Sequence, residues 1–277
     1  MNGIVRTGDG VTLRYTDTCS GRPVVLIHGW SQSAVLWRYQ TEHLSTRYRV
    51  IAYDQRGHGT SDKPTHGYKI HRLAHDLHEL LTALDLNNVT LVAHSMGCSV
   101  TFAYLELFGN HRLAKIALLD PAPFLTTNPT WTQQTRAQAG SLFTPDEVTH
   151  TYNTLNTATR DPTHTRSIID TMLTPTADPE LRDWIIQQNH KMPGPQAAAL
   201  LYNHAHQDWR DLIPRITFPT LLIAGAASIN PLTTSKWISQ QIPRAQLRII
   251  EKHDRGSHFA FLENPTHVNT LLNDFID

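Results

Sequence analysis

The chain of 277 residues is long enough for one large domain, or for a domain carrying a sizeable insertion. Its 24 lysines and arginines equal its 24 aspartates and glutamates, and no basic patch stands out, so neither nucleic acid nor an anionic membrane surface is an expected partner. No apolar run approaches the ~20 residues a bilayer span needs, residues 1–6 lack the layout of a secretory signal, and two cysteines, Cys19 and Cys98, make no disulfide framework; the expectation is a soluble, cytoplasmic protein.

Taken in chain order, residues 4–18 alternate and are broken by Gly8-Asp9-Gly10, which predicts an opening hairpin. Continuous apolar runs then predict buried strands at 24–27, 48–53, 89–93, 116–119, 220–224 and 247–250. Helical patterns at 35–44, 73–84, 100–107, 233–242 and 267–275 lie between or after them. This alternation predicts an α/β fold with a mostly parallel sheet flanked by helices on both sides. From 124 to 211 only helical patterns occur, separated by Pro/Thr-rich stretches around Pro129, Pro162 and Pro175 to Pro179. That segment is expected to cap the strand ends, inserted in a core made of 1–123 and 212–277.

The chemistry centres on Ala93-His94-Ser95-Met96-Gly97. The strand pattern stops at Ser95 and helical periodicity starts at once, which leaves no room for an ordinary loop. Ser95 therefore sits on a sharp strand-to-helix turn that pushes its hydroxyl out at the sheet's carboxyl edge. A serine needs a base. His258, in the loop after the last strand pattern, is the chosen candidate and His253 the fallback; His94 should point its side chain away from that of Ser95. The base needs an acid. An aspartate is expected three residues after Gly225, where Ser228 stands instead, so Asp120, ending the 116–119 strand, is chosen; its other reading is a turn residue before Pro121.

Oxyanion donors are expected from the backbone N–H groups of Met96, at a helix start, and Trp30, after Gly29. Trp30, Phe124 and Phe259 are candidate walls for a small-molecule pocket. Cys98 is read as a packed core thiol. Among 17 histidines, His71, His75 and His78 share a helix face, but they fall near its solvated side and no HExxH pattern occurs. No metal and no cofactor is predicted.

With those residues placed, the chain resembles the α/β-hydrolase superfamily over nearly its whole length. The matching pieces are Leu26-Ile27-His28-Gly29-Trp30, the loop from Asp54 to Ser61, the Ser95 turn, and Gly256-Ser257-His258-Phe259 with Leu262-Glu263-Asn264-Pro265. The resemblance implies a structural role for the Asp54 loop. It points to the capped esterase, lactonase and cofactor-free haloperoxidase branch. Some members carry the acid where Asp120 stands, among them cofactor-independent dioxygenases, although those typically have histidine where this chain has Met96. Three functions are therefore carried forward: a serine hydrolase of a small ester or lactone, a cofactor-free dioxygenase, and a non-enzymatic ligand receptor on the same scaffold.

Overall fold

The computed structural model describes residues 1–157 and 159–277. Two short strands, β1 (Asn2–Arg6) and β2 (Thr12–Asp17), form the opening hairpin, and β2 continues antiparallel onto β4 (Arg49–Tyr53). The remaining strands, β3 (Pro23–Ile27), β5 (Val89–His94), β6 (Leu113–Leu119), β7 (Thr220–Gly225) and β8 (Ala245–Ile250), run parallel with β4. The eight-stranded order is β1-β2-β4-β3-β5-β6-β7-β8. Because the chain leaves β3 to one side for β4 and returns to the other for β5, a crevice opens beyond their carboxyl ends, where such sheets bind ligands.

Side chains alternate across the pleat, and each parallel strand is apolar on both faces. Val25, Ile27, Leu91, Ala93, Ile116 and Leu118 pack on one side against α2 (Ile70–Ala83) and α3 (Met96–Phe108). Val24, Leu26, Val92, Ala117, Leu119 and Ile223 pack on the other against Trp37 and α11 (Pro265–Ile276). Helix α1 (Arg38–Leu44) lies beside α11 on that face, α9 (Leu232–Gln241) joins β7 to β8, and the short α10 (Ala260–Glu263) precedes α11. Among the described residues, no helix is long and apolar enough to cross a membrane.

Among the described residues, five α-helices stand between β6 and β7: α4 (Gln133–Ala139), α5 (Pro145–Leu155), α6 (Pro162–Met172), α7 (Pro179–Asn189) and α8 (Gly194–Ala205). Three of the prolines in this stretch, Pro145, Pro162 and Pro179, are helix starts, whereas Pro129 and Pro175 lie in turns. Thr144, Asp161 and Asp178 each accept a first-turn N–H with their side chains, and Pro145, Pro162 and Pro179 follow as the first helical residues. Proline suits that position because its missing N–H would find no partner within the helix anyway. Thr144 and Glu147 complete a reciprocal capping box.

The Asp54 loop is tied down by charge. The Arg56 side chain is fully buried and donates to Asp76 on α2 (Nε to Oδ2, 2.6 Å) and to Asp9 in the β1–β2 turn (3.0 Å). Arg72 shares both carboxylates. Asp54 accepts from the Ala34 N–H (2.7 Å) and from both the N–H and the hydroxyl of Thr60. Removing one partner of a buried pair strands the other's charge, at a cost of roughly 3–5 kcal/mol. Asp76→Ala is therefore expected to lower the urea-unfolding free energy by up to about that amount; a change under about 1 kcal/mol would show that Asp9 alone satisfies Arg56.

Candidate active site

Consecutive strand ends deliver the chemical groups. Beyond its last strand residue each chain continues the ladder by one backbone bond: Ser95 N–H to Leu119 O (3.0 Å), Asp120 N–H to Ile223 O (2.8 Å), Ala226 N–H to Ile250 O (2.9 Å). Ser95 thus follows β5 directly, Asp120 follows β6, Ser228 lies just past β7, and His258 lies past β8. The ladder sets them side by side although they are scattered through the chain.

Ser95 is the sole residue between β5 and α3 and has φ 54° and ψ −121°. That left-handed conformation strains any residue with a Cβ, by ~1–3 kcal/mol. Small neighbours make the turn possible: a Cβ on Gly97 would stand 2.5 Å from Ile27 O, and one on Gly29 would stand 3.1 Å from Ser95 Cβ. Asp120 repeats the device with φ 54°. The buried His258 ring bridges the two. Its Nδ1–H donates to Asp120 Oδ2, and its Nε2 accepts from the Ser95 hydroxyl at 3.1 Å.

The structure brings these three expected residues together; the groups that hold them were not singled out from the sequence. Ser228, noted only as lacking the expected charge, donates its hydroxyl to Asp120 Oδ2 at 2.5 Å. Asn230 donates Nδ2–H to the same oxygen (3.1 Å) and to the Asp120 carbonyl (2.9 Å). The signal was available: β7 is β6's neighbour, so short polar side chains just past β7 stand next to an acid just past β6. Glu263 is a second missed group. It is buried and accepts from Ser257, beside His258, and from the Thr174 hydroxyl (2.5 Å) and N–H (3.1 Å) between α6 and α7.

His94 turns its ring away from the serine hydroxyl and donates Nε2–H to the His258 carbonyl at 2.8 Å. The fallback base is corrected: His253 is on the surface, its side chain 79 % exposed, beside Asp254. The metal-spaced histidines meet separate partners, His71 on Glu106, His75 on Glu79 and His78 stacked on Phe108, although the His75 and His78 rings meet edge-on at 6.3 Å. Cys98 is buried, its thiol donates to Ala93 O, and burial pushes its pKa well up.

A cavity of about 340 Å³ opens over Ser95, Asp120 and His258. Trp30 forms one wall and anchors it by donating Nε1–H to Ala197 O on α8 at 2.9 Å. Leu125, Leu142, Phe143, Ile168, Met172 and Leu201 add apolar wall from the helical segment. Phe259 borders a narrow recess of about 30 Å³ beside Ser95. Phe124 is corrected: it does not line the cavity, and its ring meets Trp131 and Arg210 while its neighbour Leu125 points inward. Among the described residues, the N–H groups of Trp30 and Met96 donate to no protein acceptor.

A serine on a strained strand-to-helix turn, reached by a histidine from beyond the last strand of a mostly parallel eight-stranded sheet, is the architecture of an α/β hydrolase. The chain belongs to that family: the α/β hydrolase fold model matches residues 22–265. It is 32% identical over 276 residues, covering 96% of this chain and 95% of the relative, to a Synechocystis sp. protein whose name assigns it provisionally to the non-heme chloroperoxidases. Among solved structures it is similar to an esterase from Exiguobacterium antarcticum, with TM-score 0.90, 25% identity, and 100% and 99% of the two chains covered. A bromoperoxidase from Bacillus anthracis superposes with TM-score 0.89 at 24% identity over 100% and 99% of the chains, a likeness of fold.

Four histidines around this region are held neutral. Burial lowers His28 below its ordinary value of 6.5, lowers His58 and His94 well below it, and brings His204 to about 4. His28 and His58 each donate Nδ1–H to a carbonyl, of Gly29 and Arg56, and accept a backbone N–H at Nε2, from Gln55 and Ser31. Their folded pKa values lie below the unfolded one, so the unfolded state binds more protons and stability is complete only above about pH 6.5. Below that pH each such histidine is expected to remove up to ~1.4 kcal/mol per pH unit, until its folded value is reached. Urea melts at pH 7.5, 6.0 and 5.0 test this: a midpoint falling steeply below pH 6.5 is expected, and a flat one would mean the rings are solvated.

Proposed function

We propose that this chain is a serine hydrolase acting on a small carboxylic ester or lactone. The observation that carries the reading is the continuous hydrogen-bond path Ser95–His258–Asp120, opening into the largely apolar cavity. The similarity to an esterase supports it.

In this reading the Ser95 oxygen attacks the substrate carbonyl carbon while His258 Nε2 takes the hydroxyl proton. Asp120 holds the Nδ1–H tautomer and offsets the imidazolium charge. The oxyanion forms against the Trp30 and Met96 N–H groups, whose freedom from other acceptors suits them to it. As the carbonyl re-forms, the carbon–oxygen bond to the leaving group breaks and His258 returns its proton to the departing alkoxide. Water then attacks the acyl carbon as His258 accepts its proton; the bond from that carbon to the Ser95 oxygen breaks, the same proton passes to the serine oxygen, and the carboxylic acid leaves. Residues 124–211 act as the cap that excludes bulk water, on a core of 1–123 and 212–277. Ser228 and Asn230 stand in for a carboxylate on β7 by fixing the one on β6.

Fluorophosphonate is expected to label Ser95 alone, and Ser95→Ala to abolish both labelling and turnover of p-nitrophenyl esters. Asp120→Asn should lower kcat by roughly 10⁴, because the wrong tautomer then faces the serine. Ester cleavage should proceed unchanged without oxygen. Activity that survives in an unlabelled protein would overturn the serine-nucleophile reading, and activity that stops without oxygen would favour ring-cleaving dioxygenase chemistry. Tight binding with no turnover would favour a receptor.

A further inference from the structure

Among the polar groups lining the cavity over Ser95 are two histidines that the proposed reaction does not use. His204 on α8 and His164 on α6 both line it. His204 is 7 % exposed, and its Nδ1 is buried without a hydrogen-bond partner. His164 Nε2 is likewise buried and unpartnered. His28, His58 and His94, by contrast, bond backbone groups, and His190 meets the Thr165 hydroxyl at 2.9 Å; His75 and His78 on α2 share the unpartnered Nδ1 but lie away from the cavity. The unpartnered nitrogens of His204 and His164 are enclosed by protein, so it is the other nitrogen of each ring, His204 Nε2 and His164 Nδ1, that is left to meet a molecule bound in the cavity.

The surrounding wall defines what that molecule is. Among the described residues, no lysine, arginine or glutamate lines the cavity; Asp120 Oδ2 is committed to His258, Ser228 and Asn230, and its Oδ1 is enclosed by protein. A carboxylate or ammonium on the substrate would lose its hydration there with no countercharge, so the ligand is uncharged. Burial keeps His204 neutral above about pH 5, leaving one ring nitrogen as donor and the other as acceptor. A hydroxyl can meet Nε2 in either role, whereas an alkyl group can meet it in neither.

We propose that His204, assisted by His164, is a specificity-determining residue that selects uncharged esters or lactones bearing a second oxygen, a hydroxyl or a ketone, away from the reacting carbonyl. This deepens the hydrolase reading and rests on it for the position of the reacting carbonyl. His204 is a binding residue here: it moves no proton and changes affinity in the ground and transition states alike.

The test compares matched substrates: p-nitrophenyl hexanoate and octanoate with their terminal-hydroxy and keto counterparts, and hexyl acetate with hexanediol monoacetate. The wild type is expected to favour at least one oxygenated member over its parent by about tenfold in kcat/KM, the worth of one good hydrogen bond. His204→Phe should reduce that ratio to near one, through KM, and leave kcat for the plain esters within about twofold. His204→Gln should keep part of the preference. Stability of His204→Phe without ligand should be unchanged or raised, since an unpartnered polar group is lost; His204→Leu serves the same comparison if the phenylalanine variant does not fold. Dissociation constants of the same esters for the Ser95→Ala protein, read by tryptophan fluorescence, should show the same ratio. That readout is independent of turnover: a Ser95→Ala protein that still hydrolyses esters overturns the serine mechanism, while the affinity ratio alone judges His204. No oxygenated preference in the wild type by either readout, or a preference unaltered by both His204→Phe and His204→Leu, would overturn the proposal.

Discussion

The parallel ladder from β5 to β8 is the constraint on which the rest depends. Interstrand bonds fix neighbouring backbones ~4.8 Å apart, and in a parallel sheet the strand ends share one edge. Whatever side chain follows each strand is then placed by its neighbour's carbonyl, as Ser95 is by Leu119 and Asp120 by Ile223. Two non-glycine residues with φ 54° at consecutive ends are tolerated because the buried strands below them cannot shift register without exposing a whole apolar face. Packing of the sheet thus supports a strain that neither turn would hold by itself.

The placement of Asp120 illustrates how such a sheet gathers polar groups from separate strands. The carboxylate stands at the end of β6, and the short polar side chains past β7 steady it from the adjacent position. The imidazole needs a carboxylate oxygen at a given point in space, and two neighbouring strand ends can both supply one. His94 contributes from beneath by bonding the His258 carbonyl, so that the loop carrying the imidazole is anchored on both its backbone and its ring.

Much of this was legible because it depends on local pattern. Apolar runs gave the strands to within a few residues, and the abrupt change from strand to helix at Ser95 exposed the turn. Asp120 could be read from its place directly after four apolar residues. What was not legible depends on relations between distant segments. Ser228 and Asn230 become meaningful only once β7 is known to lie beside β6. Phe124 and Leu125 differ by one position in a loop, where no periodicity tells which faces inward. His253 and His258 share a loop whose short helical turn leaves one on the surface and one buried. The unpaired state of His204 is a property of its surroundings, invisible in the α8 sequence.

Glu263 joins two regions that could otherwise vary separately. One buried carboxylate holds both Ser257, next to the imidazole, and Thr174, in the link between α6 and α7. Redesign of the α6–α7 side of the roof would therefore be transmitted to the imidazole loop. The α8 wall is joined to the sheet edge by a different bond, from the Trp30 indole to Ala197 O. The α5 wall, which includes Thr151, makes no hydrogen bond to the imidazole loop among the described residues, so it is the side of the cavity that can be recut with Ser95 and His258 left in register.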